Sequence, residues 1–112
     1  MTEELEMIVF SIVGNAGEAK SLAQEALTFS FNGKFDEANE LLKKSNEAIL
    51  KAHAIQTDLI QKEAGGEPTP ISMLFVHAQD HLMTAISEKE LIKKMILQNK
   101  RIFELEKLIK IK

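Results

Sequence analysis

The chain has 112 residues and no cysteine, so we expect a single domain of residues 1–112 without disulfide bonds. Its formal charge of −3 argues against a nucleic-acid partner, although the end from Lys100 to Lys112 is locally basic. No apolar run approaches the roughly 20 residues that cross a bilayer, and Met1-Thr2-Glu3-Glu4 is acidic where a secretory signal is basic. We therefore predict a cytoplasmic protein that does not insert into membranes.

The first predicted element is a helix over residues 2–31, which Asn32-Gly33 ends. Gly14 and Gly17 lie in its interior, where each costs about 1 kcal/mol relative to alanine. Either close packing of a neighbouring helix or a bend near Gly14 would account for them. Apolar residues recur at helical spacing: Leu5, Ile8, Val9, Ile12, Val13, Ala16, Ala19, Ala23, Ala26 and Leu27.

The second predicted helix covers residues 34–64 and ends at Gly65. One of its faces is close to a heptad pattern: Phe35, Ala38, Leu42, Ser45, Ile49, Ala52, Ile55 and Leu59. The third predicted helix covers residues 70–112, with Thr69 as its cap and Pro70 as its first residue. A single apolar stripe is predicted along it: Ile71, Leu74, Phe75, Ala78, Leu82, Ala85, Ile92, Met95, Ile96, Ile102, Leu105 and Ile109.

These three segments predict an all-α fold, an antiparallel three-helix bundle, because no segment alternates like a strand and the connections are short. At 1.5 Å per residue the third helix would be roughly 60 Å long, against roughly 45 Å for the other two. We therefore expect its C-terminal end to fray, bend or project from the bundle.

Most residues suited to chemistry lie together in the third helix. His77 and His81 are one turn apart on one face, and Asp80 lies three residues from His77 on the neighbouring flank. With Gln79 they interrupt an apolar run, and polar groups buried there would need partners.

The residues alone leave three interpretations open. The cluster could be structural, in a helical interaction module without chemistry. His77 and His81 could bind zinc in a metal-dependent hydrolase, although Asp80 stands where the zinc-peptidase signature His-x-x-Glu-His has glutamate. Lastly, an imidazole that titrates near pH 6.5 is largely neutral in the cytoplasm and could accept a phosphoryl group as a nucleophile.

Two segments resemble one protein family, namely His-Ala-Gln-Asp-His-Leu-Met from His77 to Met83 and the stretch from Ala52 to Gly65. They are similar to enzyme IIA of the lactose/cellobiose class of the bacterial phosphotransferase system. The resemblance implies a phosphotransferase component for the uptake of a cellobiose-, lactose- or chitobiose-type sugar. In this role His77 accepts phosphoryl from the carrier HPr and passes it to a cysteine of the IIB component. A separate membrane component binds the sugar, so we expect no sugar site here.

The same resemblance implies a homotrimer with its third helices near the axis, where three copies of Asp80 surround a divalent cation, usually Mg²⁺. The physical reason is clear, because three carboxylates brought together repel one another. A hard cation with oxygen ligands relieves that repulsion.

The remaining polar residues receive supporting roles. We expect His81 to orient His77 across one helical turn, or to bond to another subunit. Gln79 points about 200° around the helix from His77, so packing or the axis suits it better. His53 and Gln56 lie late in the second helix, and we expect a structural role for both, in a polar network with the third helix.

Overall fold

The computed structural model describes residues 2–110, which form three helices. They are α1 (Glu3–Phe31), α2 (Phe35–Ala64) and α3 (Met73–Lys110). The predicted all-α fold is confirmed, and α1 and α2 begin within one residue of their predicted bounds. The last two residues of the predicted range 70–112 lie outside the described residues.

Side-chain hydrogen bonds between helices show the chain direction. On α2 and α3, Lys89 Nζ donates to Asn46 Oδ1 at 3.1 Å and Gln56 Nε2 donates to Gln79 Oε1 at 3.0 Å. Residue numbers therefore rise along one helix as they fall along the other, so the two helices are antiparallel. The bundle is long and narrow, with extents of 67 × 22 × 20 Å.

The start of α3 differs from the prediction. The helix begins at Met73, because the Ser72 hydroxyl accepts a hydrogen bond from the Phe75 amide at 3.1 Å. Serine is a strong N-cap residue, and this bond satisfies an amide that has no partner within the helix. Pro70 therefore belongs to the connection before the helix, and the prediction of Thr69 as the cap is wrong.

Helix α1 is the centre of the bundle, since it packs more extensively against α2 and α3 than those two pack against each other. The predicted stripes of α1 and α2 are buried or partly buried throughout. Four α1 alanines are fully buried, which allows close approach of both neighbours: Ala16, Ala19, Ala23 and Ala26. Gly14, in contrast, is exposed, and a Cβ added there would meet nothing within 4 Å, so helix packing does not explain it.

The C-terminal part of α3 packs against the turn between α1 and α2. Gly33 has φ of +77°, and a Cβ there would lie 2.6 Å from Cε1 of Phe103. The Phe103 ring meets Phe35 edge to face, with centroids 5.5 Å apart. Helix α3 continues past this contact to Lys110 with every residue after Phe103 exposed. Of the three expected outcomes, projection from the bundle is the one observed.

Helix α3 has two faces with apolar residues, one buried and one exposed, whereas the sequence predicted a single apolar stripe. Its inner face is buried in the bundle: Ala78, Leu82, Ala85, Ile92 and Ile96. An exposed face, here called the outer stripe, falls within about 80° around the helix at 100° per residue: Asp80, Thr84, Ser87, Leu91, Met95, Gln98, Ile102, Leu105 and Ile109. Phe75 packs on the core as predicted, whereas Ile71 and Leu74 are exposed.

Replacing Gly33 with alanine should destabilise the bundle, because the new methyl group meets the Phe103 ring and the left-handed backbone costs about 1–2 kcal/mol for an L-residue. We expect a urea midpoint below that of the wild type. Gly14→Ala is the matched control, since it adds a methyl in open space and should raise stability by up to about 1 kcal/mol. Equal midpoints for Gly33→Ala and wild type would contradict this account of the turn.

Candidate functional site

Two histidines near the start of α3 form the centre of the site. Their rings are nearly parallel, with an interplanar angle of 9° and centroids 6.0 Å apart. His77 is exposed, whereas His81 is partly buried. The structure thus presents one imidazole to the outside and places the second behind it, on the same helix face as the sequence predicted.

His81 lies against two residues of α1. Lys20 Nζ is 3.3 Å from His81 Nδ1, and a Cβ at Gly17 would lie 3.7 Å from His81 Nε2. The imidazole thus lies close to the α1 backbone at Gly17, at a distance where an added methyl would make an ordinary van der Waals contact, and the lysine reaches the other ring nitrogen. Sequence reasoning missed the contact between Lys20 and His81, whereas Gly17 was expected to allow close packing of a neighbouring helix. The available signal was that Lys20 is the only basic residue in α1.

The surroundings of His81 favour its neutral form. Burial is the main cause that lowers the pKa of His81, and the nearby Lys20 ammonium and His77 lower it further. Asp80 and Glu88 act in the opposite direction without reversing the shift. With the ammonium of Lys20 beside Nδ1, that nitrogen is the acceptor, and the proton of the neutral ring is assigned to Nε2.

Gln79 lies away from the histidines and faces α2. Its Oε1 accepts a hydrogen bond from Nε2 of Gln56 at 3.0 Å, and Gln56 is buried. This pair satisfies polar groups between two helices, so we assign both glutamines to packing. Of the two α2 residues expected in a polar network with α3, only Gln56 reaches it, because His53 is exposed.

Asp80 is exposed on the outer stripe, on the side of α3 away from the bundle core. Within residues 2–110 no group of three or more His, Asp or Glu side chains is placed to hold a metal ion. A cation at Asp80 would therefore take its other ligands from water or from further copies of the chain. The same finding leaves His77 and His81 without a third protein ligand for zinc.

Two exposed apolar residues lie close to His77 in the sequence. Met73, one turn before His77, is 89% exposed, and Val76 beside it is 55% exposed. Exposed apolar residues that form a patch are typical of a protein docking surface. Across residues 2–110, no helix is long and apolar enough to span a bilayer.

The chain is similar in sequence to known phosphotransferase components. Residues 7–100 match the family described as "PTS system, Lactose/Cellobiose specific IIA subunit". The lichenan-specific phosphotransferase enzyme IIA component of Bacillus subtilis is 43% identical over 104 residues, which cover 93% of this chain and 94% of the relative. The N,N'-diacetylchitobiose-specific EIIA component of Escherichia coli K12 is 43% identical over 94 residues, which cover 84% and 81%.

Solved structures agree with this result. The cellobiose-specific enzyme IIA from Bacillus anthracis superposes with a TM-score of 0.89 at 49% identity, over 93% of this chain and 95% of that one. IIA(chitobiose) of Escherichia coli, solved in complex with HPr, superposes with a TM-score of 0.79 at 39% identity, over 90% and 98%. From the sequence match and the shared fold together, this chain belongs to the lactose/cellobiose-specific IIA family of the phosphotransferase system.

Proposed function

We propose that this chain is a cytoplasmic phosphocarrier that accepts a phosphoryl group from HPr on His77 and passes it to its IIB component. The observation that carries the proposal is the exposed imidazole of His77, backed by His81, in a member of the IIA family. A relative solved in complex with HPr supports the choice of donor.

The transfer needs little covalent chemistry from the protein. An unprotonated ring nitrogen of His77 attacks phosphorus, and its lone pair forms the new N–P bond. The electron pair of the old N–P bond returns to the imidazole of HPr, while the N–H on the other nitrogen of His77 stays in place. Donation to the IIB cysteine breaks this N–P bond and forms an S–P bond with the thiolate. Positioning and charge stabilisation are therefore the protein's main contributions.

The surroundings of His77 suit a reaction between two proteins. The exposed side chains of Met73 and Val76 give a partner an apolar surface to cover. Once covered, the imidazole is shielded from water, which reduces loss of phosphate by hydrolysis. The partly buried ring of His81 lies nearly parallel to that of His77, with the ring centroids 6.0 Å apart.

The proposal names a class of transported sugar and not one particular sugar. The relatives are named for different sugars, including lichenan, lactose and N,N'-diacetylchitobiose. We propose transport of a sugar of this cellobiose, lactose or chitobiose type, and we place no sugar site on the chain. Selection of the sugar then belongs to the membrane component.

We also propose that the chain is a homotrimer with the outer stripe of α3 facing the axis. From Leu91 the stripe continues at alternating steps of four and three residues, the a and d spacing of a coiled coil: Leu91, Met95, Gln98, Ile102, Leu105 and Ile109. Arg101 and Glu106 flank it five residues apart, as the g and e positions that pair between parallel helices. An exposed apolar seam with complementary charges at its edges is typical of a surface covered by further copies.

Asp80 would hold a divalent cation at the axis of this trimer. Its exposure on the outer stripe leaves the carboxylate free to face two other copies, and three carboxylates offer the oxygen ligands that Mg²⁺ accepts. The cation would neutralise carboxylates that otherwise repel one another. His77 is the reacting residue, and Asp80 serves assembly.

The first prediction of the proposed function concerns the site of phosphorylation. Incubation with phosphoenolpyruvate and the general phosphotransferase proteins should label the wild type once per chain, and His77→Ala should take no label because the attacking nitrogen is gone. His53→Ala is the control, since it removes another exposed histidine and should label fully. Label on the His77→Ala variant would show that the site is wrong.

The second prediction concerns the axial carboxylates. Asp80→Leu should keep the trimer while removing its dependence on divalent cations, because apolar contact replaces repelling charges. Light scattering with and without EDTA measures this. Asp58→Leu, a change at an exposed aspartate paired with Lys62, should retain the wild-type dependence. A wild type that is monomeric both with and without Mg²⁺ would exclude the axial role.

The third prediction tests the seam of α3. Leu105→Lys should shift the trimer towards monomer, since it places three like charges at the axis. Leu50→Lys is matched to it, because Leu50 on α2 and Leu105 are both 57% exposed. Sedimentation velocity should show dissociation of the first variant at concentrations where the second is still trimeric. If the two variants sediment alike, the outer stripe is not the interface.

A further inference from the structure

We propose that Lys20 is the cation that binds the phosphoryl group on His77, moving from His81 Nδ1 to the phosphoryl oxygens once His77 is phosphorylated. This inference rests on the proposed function and adds a residue of α1 to a site otherwise built on α3. Its basis is the position of the Lys20 ammonium, 3.3 Å from the imidazole that lies parallel to His77.

Lys20 is bonded differently from the lysines that form ion pairs. Its hydrogen-bond partner is an imidazole nitrogen, whereas the ion pairs found within residues 2–110 join Lys62 to Asp58 and Lys89 to Glu90. Of the carboxylates near His81, Glu88 already accepts a hydrogen bond from Gln24 at 3.1 Å. A neutral ring nitrogen is a weaker acceptor for an ammonium than a charged oxygen. Lys20 is therefore placed where a better acceptor would attract it.

Phosphorylation of His77 supplies that acceptor. A phosphoryl group brings three strong acceptor oxygens and a charge between about −1.5 and −2 near neutral pH. The rings of His77 and His81 are 6.0 Å apart between centroids, so the new anion appears one helical turn from the ring that the ammonium contacts. Lysine is suited to following it, because its ammonium is a point charge on a flexible four-carbon stem.

The proposed contact between Lys20 and the phosphoryl group would stabilise two states, the transition state of transfer and the phosphorylated chain. During transfer the negative charge is spread over the phosphoryl oxygens, and the Lys20 ammonium bound to them stabilises the transition state. Between transfers the same cation stabilises the phosphorylated chain relative to phospho-HPr. Lys20 donates hydrogen bonds and charge only, and it gives up no proton.

Three substitutions at Lys20 separate charge from simple support of His81. Lys20→Arg keeps the charge, Lys20→Gln keeps a donor for His81 Nδ1 without the charge, and Lys20→Met keeps neither. We expect single-turnover transfer from phospho-HPr to slow by roughly 100- to 1,000-fold in the Gln and Met variants, as for loss of one oxyanion donor. The Arg variant should stay within a few-fold of wild type. Lys51→Met, at an exposed lysine of α2, is the control and should transfer normally.

The outcomes are distinguishable. If the wild type accepts phosphoryl and Lys20→Gln accepts it at the same rate, the proposal is overturned. Lys20 would then only support His81. Failure of the wild type to accept phosphoryl at all would instead sink the proposed function. A second readout needs no substitution: the ¹⁵Nζ resonance of Lys20 should shift when the wild-type chain is phosphorylated. An unchanged resonance would also overturn the proposal.

Discussion

Close packing of α1 against both other helices is the contact on which the rest of the molecule depends. Fully buried alanines, Ala16 and Ala19 among them, keep the helix axes near one another. At this distance the α3 imidazole of His81 lies against Gly17 and within reach of Lys20. Larger side chains on this face of α1 would push α3 away and separate the histidine pair from its support.

The two histidines differ because of what lies behind them. Burial and the neighbouring ammonium hold His81 in its neutral form and fix its ring against α1. His77 lies one turn earlier on the same face, and it is exposed. The difference between the two histidines thus comes from their packing, and in the proposed function the exposed one reacts while the partly buried one supports it.

The length of α3 connects the site to assembly. Its inner face completes the core, whereas its outer stripe continues beyond the Phe103 contact with Gly33. The family match ends at residue 100, so the last exposed stretch of the stripe, with Ile102 and Ile109, lies outside it. In the proposed trimer this stretch would extend the interface past the ends of α1 and α2.

Periodicity and helix-breaking residues were enough to predict the three helices, the buried stripes of α1 and α2 and the shared face of His77 and His81. The start of α3 was missed because two cap residues, Thr69 and Ser72, compete, and only the hydrogen bond of the second decides between them. The sequence predicted one apolar stripe on α3, whereas the structure has a buried face and an exposed face. Apolar spacing alone does not distinguish residues of a core from residues of an interface. Lys20 was missed because its partner lies 61 residues away.

The most direct test of the central claim is a long-range ¹H–¹⁵N spectrum of the histidine-labelled chain before and after phosphorylation by HPr. We predict coupling to ³¹P at one ring nitrogen of His77 and at no nitrogen of His53 or His81. Coupling at either of the other two histidines, with the His77 signals unchanged, would contradict the account.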